Sequence, residues 1–402
     1  MRISTAMMYD ASTQAMQKQQ SELLRTQQQL SSGRRMLSPG DDPIAASHAL
    51  SLRSGESVTS QYVTNQKAAQ AGLTMAESSL GTIGGLLMDM RTLVVNAGNG
   101  TLTNSDRQSI ATELRGKYGE LLGLANSKDG QGRYLFAGFQ DGTAPFSDTA
   151  AGVTYNGDQG RPAMAVSGSR EMPTSDNGHS IFELGRSGNG VFKTAPAAAN
   201  TGSGIASAGL VYDASLLTGH AYRLDFAGAS PRTCSVVDVT AGTTLSAGNA
   251  YASGTAIRFD GIELSVEGAP AAGDSIDITP STSQSIFKTL SDAIGVISAP
   301  FTGAAGSASY ATRLGTALAE IDSGSERVLA VRSELGSYLN ELDTLGSATE
   351  GRLEMLAQQR AGLEDLDYAK AASDLARQQM VLEAAQRTHV KLSSMSLFDY
   401  LS

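Results

Sequence analysis

The sequence predicts an α+β chain, a long antiparallel helical rod formed by the N- and C-terminal segments with a β-rich outer domain inserted between them. Apolar residues step by three and four over long stretches near both ends, while short alternating runs are confined to the middle. Gly, Ala, Ser and Thr also dominate that middle, from about Gln131 to Gln284.

From Tyr9 an apolar residue recurs every seventh position, at Tyr9, Met16, Leu23, Leu30 and Leu37, with Gln20 and Gln27 at the companion positions, which is half a coiled-coil seam. Each fully buried Leu stabilises by only about 1.5–3 kcal/mol, against the cost of helix nucleation, so this segment needs partners. Gly33 weakens or ends it, and Ser38, Pro39 and Gly40 form a turn. Asp42 then caps a second helix whose first residue is Pro43, where the missing N–H costs nothing; Asp41 belongs to the same turn. Ala69, Leu73, Ala76, Leu80, Ile83, Leu87, Met90 and Val94 step by four and three without a miss, so a helix unbroken to Ala97 is about 80 Å long. Gly98 to Gly100 close it. A third helix begins near Ser105 and Asp106, carries Ile110, Leu114, Leu121 and Leu124 on one face, and stops between Asn126 and Gly132.

In the middle the clearest strands are Val153–Tyr155, Tyr222–Phe226, Ser235–Val239, Ile257–Phe259, Ile262–Val266 and Ile276–Ile278, with a tight turn at Asp260 and Gly261. The stretch from Thr194 to Ala221 fits no motif. Helical periodicity returns after Ile286 and runs from Ile321 through Val328, Val331, Leu335, Tyr338, Leu342 and Leu345. An interruption at Gly346 to Gly351 is expected, and the last segment then steps through Tyr368, Ala371, Leu375, Gln378, Leu382, Ala385, His389 and Leu392. The domains read accordingly: an inner helical assembly domain from 1–42 and 364–402, a rod from 43–132 and 285–363, and the β-rich outer domain at 133–284.

The formal net charge of −10 and the absence of Lys/Arg clusters argue against a nucleic-acid footprint. No apolar run is long enough for a cleavable signal peptide or a bilayer span, so if the chain leaves the cell its N-terminus stays uncleaved. The single cysteine, Cys234, lies among strand residues and reads as a packed thiol. None of the four histidines, His48, His179, His220 and His389, has a second ligand at metal spacing, and no cofactor site is expected. Gly185 to Gly190 lacks the Lys-Ser/Thr ending of a phosphate loop, and Asp41 with Asp42 is explained by turn and cap, so no catalytic residue is assigned. The terminal seams are narrow and Gln-rich, too poor for a lone hairpin. Met16, Leu23, Leu30, Leu37, Leu375, Leu382, Ala385, His389 and Leu392 are therefore expected to be buried between subunits.

Leu30-Ser31-Ser32-Gly33-Arg34-Arg35 followed by Ser38-Pro39-Gly40-Asp41-Asp42-Pro43 resembles the N-terminal block of the flagellin superfamily, and Asn99 to Asp106 is similar to its first rod turn. Gly132-Arg133-Tyr134-Leu135-Phe136-Ala137-Gly138 leading to Pro145-Phe146, the hairpin from Gly268 to Asp274, and the ending Ser396-Leu397-Phe398-Asp399-Tyr400-Leu401 resemble its hook-filament junction members. The resemblance covers both termini and the outer domain. It implies a flagellin-like fold and a non-enzymatic structural subunit of the extracellular flagellum, exported by the type III apparatus and assembled as a ring. It also implies the first hook-associated protein and flagellin as neighbours and an export chaperone on the C-terminal helix. The alternatives are a flagellin proper or, from another class, a secreted adhesin or glycan-binding protein.

Overall fold

The computed structural model describes residues 5–230 and 232–394. Contacts divide the chain into two compact units: the first takes residues up to 64 and from 344, the second residues 65–343. Helices α2 (Pro43–Ala97) and α5 (Gly303–Glu364) contribute to both.

In the first unit α1 (Thr5–Ser32) and α6 (Tyr368–Ser394) pair antiparallel. Near one end Ser12 Oγ lies 3.0 Å from His389 Nδ1 and Tyr9 meets the His389 ring edge-on; at the other, Gly33 lies against Tyr368. Gly33 ends α1 in the left-handed region, φ +70°, and a Cβ there would sit 2.7 Å from the Tyr368 hydroxyl, so position and partner both demand glycine. The seven-residue repeat therefore stops at Leu30, and Leu37 lies in the following turn, contrary to its expected place on the helix. The companion seam positions are also corrected. Gln20 and Gln27 are exposed, while Ser12, Gln19 and Thr26, three residues after each apolar position, turn inward. Small Ser and Thr side chains at that flank let α6 approach closely.

The expected interruption at Gly346 to Gly351 is absent, and α5 runs through it to Glu364. Two mid-helix glycines cost about 1 kcal/mol each relative to Ala. Leu345, Thr349, Leu353 and Leu356 continue the three-four stepping across them, and the Leu356 side chain comes within 3.7 Å of where a Gly55 Cβ would stand on α2. Tertiary packing thus overrides local propensity. The real break falls at 365–367, where Leu366 N–H donates to Gly33 O (3.0 Å) and Asp367 Oδ1 accepts from Lys370 N–H (3.0 Å) at the start of α6.

In the second unit the α2 stripe from Ala69 to Val94 is fully buried, as are Leu114 and Leu121 of α3 (Asn104–Ala125) and Ile321, Val328, Val331 and Leu335 of α5, and the pairs Lys117–Asp89, Arg91–Asp322 and Arg332–Glu77 join α2 to both helices. Thr103 caps α3 in a reciprocal box with Asp106, so the helix begins at Asn104, one position ahead of the start expected near Ser105 and Asp106. The return is broken after α4 (Ile286–Ser298), because Pro300 cannot continue the helix, and Phe301 then folds back on Tyr310 with the Arg107 guanidinium 4.1 Å from its ring centre.

The β-rich part holds a five-stranded antiparallel sheet, ordered 243–250, 233–238, 222–227, 275–280 and 192–196. A smaller sheet is built on the 256–259 and 262–267 hairpin. Their facing sides bury Tyr222, Leu224, Phe226, Val236, Leu264, Val266, Ile276 and Ile278. Asp260 and Gly261, at φ 39° and 78°, make the hairpin turn. The 194–221 stretch supplies two short strands, Ile205–Ala206 and Leu210–Val211, to the smaller sheet. Edge strand Thr243–Ala250 was invisible in the sequence because it is polar and exposed almost throughout.

Candidate assembly surface

The stepping of α1 and α6 sets which side chains meet. Met16, Leu23 and Leu30 of α1 and Leu375, Leu382, Ala385 and His389 of α6 are each half-buried, and they occupy the seam where the two helices pair within one chain. The side chain of Leu392 lies outside the described residues. The seam residues are thus already partly covered without any neighbour. It is a thin seam: Ser12, Gln19, Thr26 and Gln378 interrupt it, and the Gln378 Oε1 is buried with no hydrogen-bond partner.

The apolar surface left open is elsewhere. On α6, Ala372, Ala376, Met380 and Ala384 form one row at four-residue spacing, with Val381 beside it, and all are exposed, Met380 by 72%. Leu24 of α1 is 52% exposed. The seven-residue repeat marks one stripe per helix and does not reveal this second face. The four-residue Ala ladder was the signal that could have found it.

The motif residues between α1 and α2 build one rigid turn. Asp41 Oδ2 accepts from the amides of Leu37 (2.9 Å) and Ser38 (3.0 Å), and Arg25 lies 3.0 Å from the other oxygen. The Ser38 and Leu37 amides, with Arg25 adding charge, hold the Asp41 carboxyl below the ordinary carboxylate value. Asp42 Oδ1 accepts from Ala45 N–H (3.0 Å), capping α2 ahead of Pro43. Across the turn Arg53 and Arg360 converge on Glu364, whose carboxyl is lowered chiefly by the Arg53 bond. Leu37, Pro39, Pro43, Leu50, Arg34 and Arg53 line an open groove of about 470 Å³ beside it.

No group of three or more His, Cys, Asp and Glu side chains that could hold a metal occurs among the described residues, and no described helix is long and apolar enough to cross a membrane. Of the histidines, His220 pairs with Asp238 (2.7 Å) and His389 sits in the seam. Cys234 is buried in the sheet and its thiol is pushed up to about 11 by that burial, the opposite of an activated nucleophile.

Comparison with known proteins places this architecture. The bacterial flagellin N-terminal helical region matches residues 3–141 and the C-terminal helical region residues 318–401. Between them, residues 196–280 match the D2-like domain of flagellar hook-associated protein 1. Flagellar hook-associated protein 3 of Salmonella typhimurium is 28% identical over 404 residues, covering 99% of each chain. The crystal structure of the flagellar junction protein FlgL from Legionella pneumophila is 30% identical with a TM-score of 0.72, covering 79% of this chain and 100% of that one. The chain belongs to the FlgL, or hook-associated protein 3, family. Its members are structural proteins of the flagellum. Similarity to a flagellin, that of Clostridium tyrobutyricum, is 28% over 132 residues, 33% of this chain and 35% of that one. The match to hook-associated protein 3 spans 99% of this chain and so includes the inserted β-rich part, whereas the flagellin match spans a third of it.

Proposed function

We propose that this FlgL-family chain is a structural subunit of the hook-filament junction and assembles through its terminal helices. The observation that carries the reading is the match to hook-associated protein 3 over 99% of both chains, together with an apolar α6 face that the chain itself leaves uncovered. A face of Ala372, Ala376, Met380, Val381 and Ala384 can be removed from water by a neighbouring subunit without disturbing the α1–α6 seam. The same reading places the protein in the extracellular flagellum, exported without signal cleavage, with the first hook-associated protein and flagellin as neighbours and an export chaperone on the C-terminal helix.

Met380→Asp tests it. The side chain is exposed, so the free subunit should keep its helicity and melting temperature, yet cells carrying only this variant should release flagellin rather than grow filaments. Normal filaments on those cells would refute assembly through this face. A cleaved N-terminus on the protein recovered from flagella would refute the export route.

A further inference from the structure

Among the described phenylalanines Phe139 alone is exposed, by 67%, while the others are buried or half-buried. It is held out by construction. Asp158 accepts from Phe139 N–H with both carboxylate oxygens at 3.1 Å and from Gly160 N–H at 2.7 Å, and the Tyr155 hydroxyl donates to Asp158 O at 2.7 Å. Gly138 reaches the loop in the left-handed region, φ +68°, and a Cβ at Gly160 would clash with the edge of the Phe139 ring. An aromatic side chain fixed in water by a buttressed loop has already lost the freedom that binding would otherwise cost it, which is the usual make-up of an interface anchor.

The same unit also carries a cavity. Open and about 410 Å³ in volume, it is lined by Ala195, Pro196, Gly295 and Val296 together with polar and charged side chains, among them Asp292 and Arg313. Lys193 is compensated by Glu320 and Asp292 by Lys288, which leaves Arg313, exposed at the rim, as the uncompensated charge. Around the phenylalanine the balance is opposite: Asp129 and Asp141 share Arg133, Lys128 lies over the Tyr134 ring, and the Asp158 carboxylate accepts from backbone amides, so carboxylates are in excess. Knob and cavity are also displaced. Arg161, next to Gly160, binds Glu334 of α5, whereas the cavity is lined by Glu320 of the same helix, 14 residues earlier and so about 21 Å away along its axis. Complementary patches at different levels of one chain can pair reciprocally across a two-fold axis or join each copy to the next around an axis, and the junction reading selects the second.

We infer that Phe139 of one subunit docks into the Pro196–Val296 cavity of a second copy of this chain, with the acidic surround of the knob facing Arg313. The inference rests on the junction reading and adds a lateral contact within the second unit, separate from the terminal helices. A double variant, Phe139→Cys with Val296→Cys, tests it in isolated flagella under oxidation. Buried Cys234 stays silent. Incorporation of the parent chain, read first, tests the junction reading by itself.

The expected result is a ladder of disulfide-linked multimers from the double variant and only monomers from either single variant. Incorporated double variant that stays monomeric would overturn the contact. As a second readout, Asp141→Arg and Arg313→Asp should each cut incorporation about tenfold, and the two together should restore it. Single variants that incorporate like the parent would also overturn it. Unchanged melting of each free variant separates the contact from a folding defect.

Discussion

Lys193→Ala probes how the β-rich part is held to α5. Thr312, Thr316 and Glu320 form a buried polar row on that helix: Thr312 Oγ1 accepts from Ala206 N–H (3.1 Å) and Thr316 donates to Thr194 O (3.0 Å). Glu320, its side chain 2% exposed, accepts from Lys193 Nζ (2.9 Å), Gly188 N–H (3.2 Å) and Gln284 Nε2 (3.0 Å). Removing the lysine leaves a buried carboxylate with neutral donors only. Breaking a buried pair costs about 3–5 kcal/mol, but the Lys193 side chain is 33% exposed, so water can enter and the loss should fall to about 2–3 kcal/mol. For a unit of this size that is a fall of about 4–12 °C in melting temperature. Differential scanning calorimetry measures it, with limited proteolysis to show cleavage opening near Gly188 and Ser281. Glu320→Gln should cost less, because the amide oxygen still accepts from Gly188. A Lys193→Ala protein that melts like the parent would refute the view that this pair fastens the sheet to the helix.

Leu382→Ala removes a half-buried seam residue, so the cost should be about 1–2 kcal/mol, below the usual 2–5 for a full core Leu, and it should appear as faster proteolysis of α1 and α6 with the second unit unchanged. Because hydrogen bonding holds the folded Asp41 pKa below its ordinary 3.8, its bonds are complete above that pH and are lost as the pH falls through the folded value; the Leu37 and Ser38 amide resonances should shift in that acid window and at no higher pH. Asp41→Asn should abolish the shift. Cys234, with its thiol near 11, should resist alkylation at pH 8 until the protein is unfolded; rapid labelling of the native protein would contradict the burial.

The helical frame was legible because its signals are local or strictly periodic. Asp42 and Pro43 mark a cap wherever they occur before an amphipathic run, and the α2 stripe from Ala69 to Val94 repeats often enough that only a helix explains it. The tight turn at Asp260 and Gly261 and the apolar strands beside it were equally plain. What the sequence determined by itself, then, were the α+β division, the order of the long helices, the principal strands, and through the motifs at both ends the family.

Only the tertiary structure decided the rest. Whether Gly346 and Gly351 end a helix depends on Leu353 and Leu356 finding α2, and which flank completes the α1 seam depends on how closely α6 can approach Ser12 and Thr26. The open face of Met380 and the presentation of Phe139 are differences between what is covered and what is not, and that depends on residues distant in sequence, α1 for the first and the Tyr155–Gly160 segment for the second. Periodicity records which side chains share a face; which face meets another is set by packing, where apolar area, close approach and unsatisfied polar groups are weighed across the whole chain at once.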